Sequence, residues 1–176
     1  MEGGSERGCA SDASARPRNA YVTLTSVDFE FAVSVGVKRN LSSLRRGKQD
    51  AHGCDGIDGW TYHIEGACGE AAFATWRGLP WTASVDAEGQ PDFAIEGFPV
   101  DVKTRPGKNG YTDLIVREER PDDWRFVLLV GRAPTYRVAG WVTAKQARER
   151  GSVMDPGGRK ASLFIPERAL NPWETL

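Results

Sequence analysis

Cysteine is scarce in this sequence, and long apolar runs do not occur in it. The three cysteines are an odd number and form no Cys-x-x-Cys pair, which argues against a disulfide framework and favours a reducing compartment such as the cytoplasm. A membrane-spanning helix needs about 18 consecutive apolar residues, so we expect no such helix and no membrane partner. Residues 1–19 lack the apolar stretch of a secretory signal, and their Gly, Ser, Ala and Arg content predicts a flexible tail.

The chain also lacks an excess of charge of one sign. Its 23 Lys and Arg residues nearly balance its 24 Asp and Glu residues, which argues against nucleic-acid binding through net positive charge. Residues 38–48 nevertheless form a basic stretch without an acid, and such a stretch fits phosphate contact and a solvated surface equally well. The length of 176 residues suits one domain, which we assign to residues 20–176.

Two helices are indicated by the residues at their ends. Residues 66–78 are rich in alanine, and Gly78 stands where a C-cap belongs, so we predict a helix there. Thr143 and Gln146 form a capping box for a second, short helix that ends at Gly151.

The segment that follows the tail has two interpretations. Alternating apolar residues over residues 26–39 favour a strand, whereas Val27, Phe31 and Val35 also have helical spacing. Both interpretations stay open. Residues 40–62 are polar and rich in glycine, which predicts a long loop.

Short apolar or alternating runs predict the strands of a mixed sheet. The continuous apolar run at residues 126–130 is typical of a central buried strand. Together with the helices, these runs predict an α/β (α+β) fold, in which a single domain has a central mixed β-sheet flanked by helices. The predicted strands are residues 81–85, 92–95, 99–104, 114–117, 126–130, 136–142 and 162–165.

The clearest chemistry lies in the segment QPDFAIEGFPVDVKTR. Asp92 opens one predicted strand, and Asp101 and Lys103 lie two positions apart on the next, so that their side chains share a face. Gly97 and Pro99 predict a tight hairpin that brings the two strands together. Two converging carboxylates suit a divalent cation such as Mg²⁺, and a neighbouring lysine can orient or deprotonate water, or stabilise charge on a phosphate. These parts suit metal-dependent hydrolysis of a phosphodiester.

This segment resembles the motif of the PD-(D/E)XK nuclease superfamily, which is Pro-Asp, a spacer, Asp or Glu, any residue, and Lys. The matching residues are Pro91-Asp92 and Asp101-Val102-Lys103. The resemblance implies a restriction-endonuclease-like core of a helix, three strands, a helix and a strand, which would span about residues 64–143.

The resemblance also implies roles for particular residues. Asp92 and Asp101 would be ligands of Mg²⁺ or Mn²⁺, and Lys103 would activate water or stabilise charge. Glu70, on the apolar face of the predicted helix, would be an accessory catalytic residue and metal ligand. The implied substrate is nucleic acid, with DNA favoured. The compact chain with its tail is also similar to phage-encoded proteins, which would act in the host cytoplasm.

The sequence departs from the family in one place. The segment TRPGKNGYTD follows the lysine strand and predicts a loop where the family has a helix, so the core helix would come later, at residues 143–150, or be absent.

Several residues offer other interpretations. Glu30 is an alternative to Glu70 as the accessory acid, and this alternative requires residues 26–39 to be helical. Phosphate contacts are predicted for Arg39, Arg105 and Lys108, for which ordinary surface charge is an equal alternative. A zinc site would match no common finger spacing, and its candidates are His52, Cys54, His63 and Cys68.

Three functions follow from this sequence. The first is a Mg²⁺-dependent nuclease of the PD-(D/E)XK type. The second is a non-catalytic nucleic-acid- or protein-binding module with the same fold. The third is a virus-associated accessory protein that acts on a host defence component by association. The choices between exonuclease and endonuclease and between monomer and homodimer stay open, because fold alone does not set them.

Overall fold

Among the residues that a computed structural model describes, there are three α-helices and two β-sheets. The tail predicted for residues 1–19 lies outside the described residues. Within the described part of the chain, every helix is too short or too polar to traverse a lipid bilayer. The structure describes residues 20–47, 58–87, 89–107, 110–116, 119–154 and 161–176.

Helix α1 (Ser26–Arg45) settles the ambiguity at residues 26–39 in favour of a helix. The side-chain oxygen of Thr25 accepts a hydrogen bond from the backbone N–H of Asp28, which caps its first turn. The helix packs closely on α2. A Cβ atom added at Gly36 would lie only 2.5 Å from the Cα atom of Ile64, so glycine is needed at this contact.

Helix α2 (Asp58–Arg77) contains the helix predicted at residues 66–78 and ends, as predicted, before Gly78, whose φ is +65°. The loop prediction for residues 40–62 is wrong at both ends, because α1 continues to Arg45 and α2 begins at Asp58. Packing between the two helices outweighs the polar, glycine-rich composition there. The centre of that segment, residues 48–57, lies outside the described residues.

The larger sheet has five strands in the order β1-β6-β5-β3-β2. Strands β3 and β5 are parallel, and the other neighbouring pairs are antiparallel. The middle strand is β5, as predicted from its continuous apolar run. The strands are β1 (Tyr21–Thr23), β2 (Phe93–Ile95), β3 (Phe98–Arg105), β5 (Arg125–Arg132) and β6 (Thr135–Thr143).

A second, antiparallel sheet of three strands has the order β4-β8-β7. Its strands are β4 (Leu114–Val116), β7 (Ser152–Met154) and β8 (Ser162–Ile165). Helix α3 (Ala144–Arg150) begins with the predicted capping box and ends before Gly151.

The core lies on both faces of the larger sheet. Helices α1 and α2 cover one face, where Val100, Val102 and Val127 are buried with Phe73 of α2. On the other face, Phe126 and Leu128 pack with β4, β8 and α3, and the further buried members there are Leu114, Val142, Ala144, Ala147 and Ile165. This arrangement confirms the mixed α+β single-domain fold.

Two details differ from the sequence-based expectation. The strand predicted at residues 81–85 is wrong, because this segment is irregular, with Ala83 at φ +51° and Trp81 packed edge-on against Phe31. As predicted from the segment after the lysine strand, the described residues between β3 and β5 contain no α-helix, and β4 lies there in place of the family's helix. Strands β1 and β7, of three residues each, were not predicted.

Candidate active site

The hairpin of β2 and β3 brings the sequence motif together, as predicted. Its two-residue turn consists of Glu96 and Gly97, both with positive φ (+52° and +83°), which suits the right-handed twist of the strands. Phe93 pairs with Val100 in the hairpin register. Asp92, one residue before Phe93, therefore lies at the point where the ladder ends beside β3.

At this point the Asp92 side chain, rather than a backbone carbonyl, accepts the hydrogen bond from β3. Its Oδ2 atom accepts a hydrogen bond of 2.7 Å from the backbone N–H of Val102. Val102 lies between Asp101 and Lys103, so the Asp92 carboxylate is fixed next to both side chains of the motif.

Asp101 and Lys103 form an ion pair on β3, with 3.1 Å between Lys103 Nζ and Asp101 Oδ2. Asp101 is buried, whereas the lysine side chain is 34% exposed. Because Val100 and Val102 point toward α2, the alternating Asp101 and Lys103 point to the opposite sheet face. Strand β3 lies between β2 and β5, so this pair is not a charged row on an edge strand.

The environment of Asp92 favours its protonated form. Burial raises the pKa of Asp92 to about 8, and the negative charges of Glu70 and Asp101 act in the same direction. The Val102 hydrogen bond and the charge of Lys103 lower this pKa but do not outweigh the rise. Asp92 is thus close enough for charge repulsion both to Glu70, which comes from α2, and to Asp101, which belongs to the same hairpin.

Glu70 is held by Arg39 of α1. The two guanidinium nitrogens of Arg39 donate to the two carboxylate oxygens of Glu70 at 2.5 and 2.7 Å, and the Trp81 indole N–H donates to Oε2 at 3.1 Å. Arg39 Nε also donates to the Ser84 carbonyl at 2.8 Å. Burial acts to lower the pKa of Arg39, but the Glu70 hydrogen bonds and the charges of Glu70 and Asp92 raise it above its ordinary value. Arg39 therefore keeps its positive charge beside Glu70.

The donor set fits a divalent cation held by two carboxylates. Mg²⁺ commonly takes one or two carboxylates and completes its shell with water and substrate phosphate. Burial is the main cause of the raised pKa of Asp92, and the negative charges of Glu70 and Asp101 add to it. A cation beside Asp101 would balance those charges. In the described ranges, no three His, Cys, Asp or Glu side chains are grouped as metal ligands. The role of Glu70 as a third ligand stays a prediction, and it requires a change in the Arg39 pair.

The other candidate residues are scattered. Glu30 is exposed on α1. Of the zinc candidates, Cys68 is buried in the core, and burial, assisted by the charge of Glu65, raises the pKa of its thiol to about 12. His63 is half-buried on α2. Arg105 lines a cavity at the far end of β3. The candidates His52, Cys54 and Lys108 lie outside the described residues.

Three groups that hold the site in place were not predicted from the sequence. Trp81 and the Ser84 carbonyl bind Glu70 and Arg39 from the irregular segment after α2, and no local pattern marks them for this role. The Val102 N–H was also missed, although the hairpin register places it next to Asp92.

Comparison of the chain with protein-family models, with curated proteins and with solved structures gave no match.

Proposed function

We propose that this protein is a metal-dependent nuclease that hydrolyses phosphodiester bonds, with DNA as the favoured substrate. The observation that carries the proposal is the hydrogen bond from Val102 N–H to Asp92, which fixes this carboxylate beside the Asp101–Lys103 ion pair. The preference for DNA rests on the motif's resemblance to the PD-(D/E)XK nucleases.

Asp92 and Asp101 would hold Mg²⁺ or Mn²⁺. When bound, the ion would polarise the phosphate and lower the pKa of a water molecule. Asp92 must be deprotonated to act as a ligand, so its raised pKa makes the site favour protons over metal in acid.

Lys103 supplies positive charge at the same place. Its ammonium lies 3.1 Å from Asp101, and its partial exposure leaves it accessible to a phosphate or an attacking water. A fixed ammonium at this position can orient the water and stabilise the negative charge that develops on the phosphate.

Arg39 of α1 and Glu70 of α2 contribute to the site from the helices. The bidentate pair fixes Glu70 near Asp92 and adds a positive charge that acts on Asp92. In this account Arg39 is a positioning residue and not a surface contact to nucleic acid.

The alternative is a binding module that uses the same fold without cleavage. The observation in its favour is the engagement of both Glu70 oxygens by Arg39, which holds the accessory acid implied by the resemblance in an ion pair within the protein. This alternative, like association with a host defence component, requires no metal. In either case we propose a cytoplasmic location, which the reduced, buried thiol of Cys68 fits.

The test is digestion of plasmid DNA and of short single- and double-stranded DNA and RNA, with Mg²⁺, Mn²⁺ or EDTA. We expect metal-dependent cleavage of at least one substrate, and the product lengths will separate exonuclease from endonuclease action. Absence of cleavage from all substrates by folded protein, with no heat of metal binding in calorimetry, would favour the binding module.

A further inference from the structure

A second site lies at the other end of β3, where the parallel strands β3 and β5 both end. A cavity of about 280 Å³ is bordered there by Arg105 from β3, Arg132 from β5 and Tyr62 from α2. Ligands commonly bind outside the carboxyl ends of parallel strands. The volume is at the lower limit of small-molecule sites, which are about 300–1,000 Å³, so it suits one compact group.

The lining combines positive charge with aromatic rings. Arg105 and Arg132 contribute two guanidinium groups, and these bind phosphates with two parallel hydrogen bonds. Tyr62 and Tyr111 also line the cavity and are 47% and 72% exposed. Exposed rings beside arginines are the combination with which proteins bind single nucleic-acid strands, where the bases stack on the rings.

Glu65 also lines the cavity, and its carboxylate already accepts hydrogen bonds from other groups of the protein. Glu65 accepts hydrogen bonds from the Tyr136 hydroxyl at 2.8 Å and from the Ala133 backbone N–H at 3.3 Å. These contacts hold the carboxylate toward the β5–β6 turn. With two arginines and one glutamate, the lining has an excess of positive charge, as an anionic ligand requires.

The cavity lies on the same strand as the candidate active site. Arg105 follows Lys103 by two positions and shares its side of β3, and this spacing corresponds to about 7 Å along a strand. Because Tyr62 and Glu65 border the cavity from the α2 side of the sheet, a nucleic-acid strand with its scissile phosphate at Lys103 would pass the end of β3 to place a neighbouring nucleotide in the cavity.

We propose that this cavity binds one unpaired nucleotide of a nucleic-acid strand, with its phosphate against Arg105 and Arg132 and its base against Tyr62 and Tyr111. The position of the adjoining phosphodiester at Lys103 rests on the proposed function. The binding of the nucleotide does not rest on it. The protein would accordingly prefer single-stranded nucleic acid, or duplexes with unpaired ends, over closed duplexes.

The test is fluorescence anisotropy with a labelled oligonucleotide of about 12 nucleotides, single-stranded or in a duplex, in EDTA so that metal-dependent cleavage does not interfere. Arg132→Gln and Tyr111→Leu change exposed side chains and should leave the fold intact. Lys145→Gln and Tyr21→Leu are matched controls, because both side chains are exposed and neither lines the cavity.

We expect tighter binding of the single strand than of the duplex, and a loss of about 5-fold or more in affinity for each cavity variant but for neither control. Equal affinities for the wild type and the cavity variants would overturn the proposal, as would equal affinities for single strand and duplex. A nucleoside monophosphate that bound as tightly as the oligonucleotide would assign the cavity to free nucleotides and contradict strand binding.

The same variants separate this proposal from the nuclease. If the wild type cleaves DNA with Mg²⁺ and both cavity variants bind the strand as it does, the cavity proposal fails and the nuclease stands. If binding depends on Tyr111 and Arg132 but no substrate is cleaved, the nuclease fails and nucleotide binding stands.

Discussion

Asp92 accepts a hydrogen bond of 2.7 Å from the backbone N–H of Val102, the residue between the aspartate and the lysine of the motif. This hydrogen bond joins the Pro-Asp segment to the middle residue of the Asp-x-Lys segment. It therefore fixes the position of the Asp92 carboxylate relative to Asp101 and Lys103. The carboxylate is buried there and lies near Glu70 and Asp101, so that its burial and these two charges together raise its pKa. Protonation of Asp92, metal binding and the free energy of unfolding should therefore depend on one another.

The first prediction concerns the pH dependence of stability. The pKa of Asp92 is about 8 in the folded protein and about 4 in the unfolded chain. Between these values the folded state holds a proton that the unfolded state has released, so Asp92 lowers the free energy of unfolding as pH rises through this window. Asp92→Asn keeps an acceptor for Val102 and should be more stable than the wild type at pH 9 in EDTA, by at least about 1.4 kcal/mol, the equivalent of one pKa unit.

Thermal unfolding at pH 5 and pH 9 measures this difference. The exposed Asp123→Asn is the matched control and should not change the pH dependence. Addition of Mg²⁺ at pH 8 should stabilise the wild type but not Asp92→Asn. Identical pH profiles for the wild type and Asp92→Asn would contradict the account of Asp92.

The second prediction compares two ion pairs. Arg39 and Glu70 are mostly buried, so replacing either partner alone leaves a buried charge and should cost about 3–5 kcal/mol. Arg39→Met and Glu70→Gln together should cost less than the sum of the single changes. Arg46 and Asp86 form an exposed pair at 3.1 Å, for which each loss should stay below about 1 kcal/mol.

Urea denaturation of the single and double variants gives the coupling free energy of each pair. Equal coupling in the buried and the exposed pair would mean that Arg39 does not hold Glu70 in solution.

Contacts between residues that are close in the sequence could be predicted, whereas contacts between distant segments could not. The capping box of Thr143 and Gln146 lies within four residues, and the hairpin turn at Glu96 and Gly97 lies between adjacent strands. Both were therefore visible in the sequence. Asp101 and Lys103 share a face because strand side chains alternate, which sequence spacing also indicates.

The remaining contacts depend on packing between distant segments. Arg39 and Glu70 are 31 positions apart, and they meet only because α1 crosses α2 closely at Gly36. The apolar residues of α1 satisfy both helical and strand periodicity, so this pattern does not decide between the two. The Thr25 cap and the close contact with α2 both favour the helix.

The third prediction tests that helix contact. Gly36→Ala would place a Cβ atom 2.5 Å from Ile64 Cα, and this clash is with the backbone of α2, which cannot move without shifting the helix. We expect the free energy of unfolding to fall by about 1–3 kcal/mol. Gly66→Ala on α2 meets nothing within 4 Å and should instead stabilise the protein by about 0.5–1 kcal/mol. Denaturation midpoints that move in the same direction for both variants would argue against the close crossing.

The fourth prediction separates metal binding from chemistry. Lys103→Gln removes the ammonium beside Asp101 and should lower kcat about 100-fold or more, because one charge-stabilising donor is lost from the transition state. Its affinity for Mg²⁺ should not fall, since it retains both carboxylates. Calorimetry and steady-state kinetics measure the two quantities, and a variant with unchanged kcat would remove Lys103 from the mechanism.

The most direct test of the central claim is single-turnover cleavage of the best substrate by wild type, Asp101→Asn and Lys145→Gln, each with Mg²⁺ and with EDTA. The account predicts cleavage by the wild type and Lys145→Gln with Mg²⁺ only, and no cleavage by Asp101→Asn in either condition. Cleavage in EDTA, or cleavage by Asp101→Asn at the wild-type rate, would contradict a metal-dependent site built on Asp92, Asp101 and Lys103.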